Sequence, residues 1–154
     1  MLSRVLRFVR LPFVLVTIYA IARFSVGVSG VPYAPRGNAM FSIVAAMLIS
    51  SFYFGALSGK VGGFGWGGTL LIGVSIGFFS ELVVLLATLV SYLGNLNTYF
   101  IHWDALNIPE GTTIPLGTAM AKRAGGLIGG PILCLVAASL GRALSGLAPG
   151  ERKN

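Results

Sequence analysis

Glu81 is the residue whose chemistry most needs an explanation. It lies in TLLIGVSIGFFSELVVLLATLVSYL, Thr69 to Leu93, and no other charge occurs between Lys60 and Asp104. A run that long and that apolar reads as a transmembrane span. A carboxylate at such depth needs a counter-charge, a proton or a water-filled cavity. Arg23, in the first apolar run, is the cation whose depth matches. The helical rise puts Arg23 roughly 22 Å and Glu81 roughly 21 Å from the same end of their spans. Ser50 and Ser51 of the second span fall near that level, as does Cys134 of the fourth. The sequence therefore predicts an intramembrane polar layer of Arg23, Ser50, Ser51 and Glu81. Its first reading is an ion pair that locks two helices. Its second is an ion, proton or substrate site near the bilayer midplane. A protonated Glu81 on a backbone carbonyl, or a partner for it in another subunit, completes the alternatives.

Other residues with chemical potential are poorly arranged for it. His102 and Asp104 are two apart, so on a helix they diverge, and no second histidine stands near to complete a metal site. Tyr99, His102, Trp103 and Asp104 read instead as a wet segment at headgroup level. Ser80 and Glu81 are adjacent and point about 100° apart on a helix, which is no nucleophile–base pair. GKVGGFGWGG has the composition of a phosphate loop without its Gly-Lys-Ser/Thr ending, and reads as a turn. Cys134 is the sole cysteine, which excludes an intrachain disulfide and a cysteine metal cluster. No catalytic set, cofactor motif or metal-ligand pattern emerges, so an enzyme is the less favoured class.

Four apolar spans must position these groups: about 8–28, 39–58, 67–93 and 124–147. The expected architecture is an all-α membrane bundle in one membrane domain, with one long, partly interfacial loop over 94–123. The glycine-rich turn after the second span is short enough to make the second and third helices antiparallel neighbours. Pro131 should bend the fourth span and free the Leu127 carbonyl. A cleaved signal peptide competes for the N-terminus, with a basic start, an apolar core over Leu11 to Ile21 and the small-residue stretch Ala20-Ile21-Ala22.

Small residues recur every four positions on two spans. Gly65, Thr69, Gly73, Gly77 and Glu81 share one face of the third, and Lys122, Gly126, Gly130, Cys134, Ala138 and Arg142 share one face of the fourth. Gly125 and Gly129 are expected to widen the second groove. Such faces let helices pack at close range. Two of them in one small chain lean toward a homo-oligomer or a larger membrane complex.

Composition bounds the rest. The chain has 154 residues, 55% hydrophobic and 10% charged, with a mean hydropathy of +0.87. Soluble domains carry about 25% charged residues, so lipid must be the main solvent here. The net charge of +7 is scattered over span ends, which suits anionic headgroups and not nucleic acid. One side collects Arg4, Arg7, Arg10, Lys60, Arg142, Arg152 and Lys153; the other collects Arg36, Lys122, Arg123 and Arg23. That bias predicts cytoplasmic termini in a bacterial inner membrane. The function class read from size and packing faces is an accessory or scaffold subunit, with a small oligomeric channel or carrier as the alternative. A lipid- or quinone-modifying enzyme comes third.

Overall fold

A computed structural model describes residues 1–33 and 41–147. Five α-helices follow in order: α1 (Leu2–Phe8), α2 (Arg10–Val28), α3 (Ile43–Lys60), α4 (Trp66–Leu93) and α5 (Leu116–Leu144). Four of them, α2 to α5, are long and apolar enough to cross a membrane. The protein is thus a small all-α polytopic membrane protein. Arg36, Arg152 and Lys153, part of the charge bias above, lie outside the described residues.

The first apolar run is broken. Val9 leaves the helical region at ψ 17° between α1 and α2. Pro12 explains the break: without an N–H it cannot bond the Phe8 carbonyl, and its ring suits the first turn of a new helix. The bonds on either side survive, Val9 N–H to the Val5 carbonyl and Phe13 N–H to the Val9 carbonyl. At the other extreme, α5 begins eight residues earlier than the apolar run indicates. After Pro115 the sequence LGTAMAKRA holds no breaker but Gly117 and is rich in helix formers, so the helix extends outward from the apolar stretch. Lys122 and Arg123 are therefore helical residues. The helix also runs through Pro131 without interruption.

Helix ends are closed by local chemistry. Ser42 caps α3 by accepting from the Ala45 N–H at 3.3 Å. The α4 terminus is a Schellman turn: Asn95 takes φ 48°, and the Leu96 N–H donates to the Ser91 carbonyl at 2.8 Å. Between α3 and α4 the chain reverses at Gly63, φ 61°.

The α4–α5 pair is the most extensive contact, and α3–α5 is next. The seams are made of backbone on backbone. A Cβ on Gly77 would lie 2.6 Å from Pro131 Cα, and one on Gly73 would lie 2.5 Å from the Cys134 carbonyl oxygen. Gly55 sits against Ala138 and Gly141 against Phe52 in the same way, joining α3 to α5. Two apolar clusters fill the bundle. Val5, Val9, Met47, Phe64, Ile72, Ile76 and Cys134 form one toward the α3–α4 turn. Val16, Ala20, Ile43, Ala46, Val84 and Phe100 form the other toward the long loop.

The turn end is clasped by arginines. Arg142 Nη1 on α5 donates to Ser58 Oγ at 3.1 Å, to the Phe64 carbonyl at 2.7 Å and to Thr69 Oγ1 at 2.9 Å. Its guanidinium also lies over the Trp66 ring. Arg4 donates to the Gly62 carbonyl at 2.6 Å and covers Phe64. Ser58 and Thr69 bond each other at 2.7 Å, so the polar groups beneath Arg142 are mutually satisfied.

Candidate functional site

The loop end is built differently. The segment after α4 folds back over the bundle. Phe100 and Leu106 are buried there. Ser91 and Thr98 bond each other at 2.7 Å, and Tyr92 Oη donates to the Ile114 carbonyl at 2.6 Å. Gly27 lets the loop backbone approach α2, since a Cβ there would stand 2.8 Å from the Tyr99 nitrogen. Tyr99 Oη then reaches the Val31 carbonyl at 2.8 Å.

Beneath this cover is a cavity of about 290 Å³. Arg23 and Tyr33 form one wall, and Ser42, Ile43 and Val44 form another. Val84 of α4, Tyr99, Phe100 and Ala105 of the loop, and Arg123 of α5 complete it. Arg23 donates to Tyr33 Oη at 3.3 Å and faces the Tyr33 and Tyr99 rings, each centroid 5.5 Å away. Arg123 Nε donates to Thr88 Oγ1 at 3.2 Å and its Nη2 to the Phe100 carbonyl at 2.8 Å. The two arginines line the same cavity. A guanidinium carries five N–H donors. Among the described residues, protein acceptors take one from Arg23 and two from Arg123. The first turn of α3 opens on the same space, so the positive end of that helix adds to the field.

The structure corrects the expected charge pair. Glu81 faces α5 at Gly126, three residues from Arg123 on that helix. Among the described residues no hydrogen bond or ion pair joins Arg23 to Glu81; Arg23 is turned to Tyr33 and Tyr99. Glu81 itself lies in the α4–α5 seam against Gly126 and Gly130. A Cβ on Gly130 would come within 2.8 Å of Glu81 Oε1, so the missing side chains there are what make room for the carboxylate. Ser51 is fully buried next to Cys134, and its Oγ finds no hydrogen-bond partner among the described residues. Ser50 is buried on α3. Thr69 belongs to the Arg142 clasp. Gly125 and Gly129 do not widen the groove: a Cβ on either meets nothing within 4 Å, so both face outward.

Of the expected interfacial residues, Tyr99 lines the cavity and His102 packs on Tyr33 of its wall. His102 stacks on Tyr33 with centroids 4.0 Å apart, and Trp103 packs on His102 at 5.1 Å. The Asp104 N–H donates to His102 Nδ1 at 3.2 Å, which fixes that nitrogen as an acceptor. Burial pushes the His102 imidazole below its ordinary range, while Asp104 and Glu110 act in the opposite direction. Arg123 is the functional residue that sequence reasoning missed. Its signal was present in the helix-forming stretch 116–123, which carries it back over the bundle.

No family model matches the chain, and no curated protein or solved structure matches it either.

Proposed function

We propose that this protein is a membrane-embedded binding protein for an anionic ligand, serving as an accessory subunit of a membrane assembly. The observation that carries the reading is the loop-end cavity, which Arg23 and Arg123 both line and where, among the described residues, protein acceptors take three of their ten N–H donors. With Glu81 ionised the three charges sum to +1, and a bound anion would neutralise that excess. Guanidinium forks suit carboxylate and phosphate geometry. Densely packed helices beneath the cavity, with Ile72, Ile76 and Cys134 fully buried, favour binding over open conduction. The test is thermal unfolding of the purified protein in an uncharged detergent with added glycerol 3-phosphate. Stabilisation that Arg23→Gln and Arg123→Gln each abolish is the expected result. Absence of any anion-dependent stabilisation would overturn the reading.

A carrier is the second reading, and Glu81 favours it. The carboxylate lies against Gly126, one helical turn from the Arg123 that a ligand would engage, so ligand and carboxylate would compete for one guanidinium. Anion flux into vesicles reconstituted with the protein separates the two. Assembly with other chains rests on α5, where Gly125 and Gly129 are open beside exposed Ile128 and Ile132. The membrane would be a bacterial inner membrane with cytoplasmic termini. Thr112→Cys should then be labelled from outside by an impermeant thiol reagent and Lys60→Cys should not, with the buried Cys134 silent.

A further inference from the structure

We infer that the ligand of the arginine cavity is an anionic lipid: its phosphate meets Arg23 and Arg123, and one acyl chain lies in the groove between α2 and α4. The inference rests on the anion-binding reading and adds the ligand's class.

Depth supports it. At 1.5 Å per residue α5 is about 43 Å long, against a hydrocarbon layer of about 30 Å. Arg123 lies roughly 10 Å from the loop end of α5, and Arg23 roughly 8 Å from the loop end of α2. The 19-residue α2 is about 28 Å long, close to the hydrocarbon thickness, so both arginines lie just inside the hydrocarbon at the loop end, from where their long side chains snorkel toward lipid phosphates.

The apolar half of the site lies at the same end. A groove of about 250 Å³ runs between α2 and α4, with Ala20 and Ala87 among its lining and Phe24 and Val83 on its flanks. Ser25 marks its end nearer the loop and Thr17 its deeper end, about 12 Å away along the helix. The Thr17 hydroxyl is spent on the Phe13 carbonyl at 2.8 Å, so it does not demand water. Groove and cavity share a wall. Phe24 of the groove faces Phe100 of the cavity with centroids 6.3 Å apart, and Arg23 and Val84 of the cavity adjoin Phe24 and Val83 in sequence. A soluble anion would use the cavity alone. A lipid would use both, with its charge complementing the two arginines and its chain following the groove toward the bilayer centre.

The experiment is native mass spectrometry of the full chain from an uncharged detergent, with equal additions of dioleoyl phosphatidic acid, dioleoyl phosphatidylcholine or glycerol 3-phosphate. We expect retention of phosphatidic acid over phosphatidylcholine, and a loss of about tenfold with Arg23→Gln, as for a hydrogen bond to a charged group. Ala87→Phe should fill the groove and weaken phosphatidic acid several-fold while leaving glycerol 3-phosphate unchanged. Ser25→Phe, at an exposed position, repeats that test should Ala87→Phe fold poorly. If glycerol 3-phosphate binds as well as the lipid and neither groove variant matters, the lipid assignment is wrong and anion binding stands. If no phosphate species is retained, both are wrong.

Discussion

The two ends of this bundle each hold a pair of arginines, and the pairs differ in what stands in front of them. At the turn end, Arg142 is shared among Ser58, Thr69 and the Phe64 carbonyl and covered by Trp66, while Arg4 is taken up by Gly62 and Phe64. At the loop end, Arg23 and Arg123 line a common cavity of about 290 Å³. One pair is structural because the backbone of a tight turn supplies acceptors at short range. The other pair has like charge as its neighbour, which costs stability unless an anion intervenes. Residue type is equal at the two ends; what differs is the cavity that the loop-end pair lines.

That contrast requires a rigid α4–α5 seam that keeps both ends in register. Gly77→Leu should break it most severely, because a side chain there collides with the Pro131 backbone and cannot be relieved by a rotamer change. A loss of about 3 kcal/mol is expected, at the upper end of ordinary overpacking. Unfolding in detergent should show it, together with loss of anion binding at the loop end.

Arg142→Gln comes next. It leaves Ser58, Thr69 and the Phe64 carbonyl without their charged donor, at a cost of about 2 kcal/mol. Anion-dependent stabilisation should survive in this variant. Arg23→Gln should do the reverse. It forfeits one long hydrogen bond and ring contacts worth about 0.5–1 kcal/mol, and it removes half of the cavity's charge. Equal destabilisation by the two substitutions would erase the proposed difference between the ends.

Depth along a helix is legible in a sequence, and azimuth is much less so. The four spans follow from composition and run length, and the described residues form four helices of that kind. Arg23 and Glu81 were matched by height alone. The helices turn them to different neighbours: Arg23 toward Tyr33, and Glu81 into the seam with α5. Gly125 and Gly129 fail for the same reason, since one position along a helix is a 100° rotation. Arg123 was hidden by a boundary. Hydropathy falls at Lys122, but helix propensity continues outward to Leu116, and the helix follows propensity. The Arg142 clasp depends on acceptors across the α3–α4 turn, up to 84 residues away in sequence, which no local pattern encodes.

The smallest expected effect concerns the ring packed on Tyr33 of the cavity wall. His102 is the sole histidine, so its ring resonances are unambiguous in a titration. Burial favours its neutral form, and its midpoint should lie below the ordinary value of 6.5. The contribution to stability is thus present above that value and fades as the pH falls through the lowered midpoint. A midpoint at or above 6.5 would mean that Asp104 and Glu110 dominate and the stack on Tyr33 is loose.

The most direct test compares how the unfolding temperature responds to glycerol 3-phosphate in wild type, Arg142→Gln and Arg23→Gln. A cavity lined by the loop-end arginines, and a tight turn closed over Arg142 at the other end, predict a rise in wild type, the same rise from a lower baseline in Arg142→Gln, and none in Arg23→Gln. A rise that persists in Arg23→Gln, or disappears in Arg142→Gln, would contradict the account.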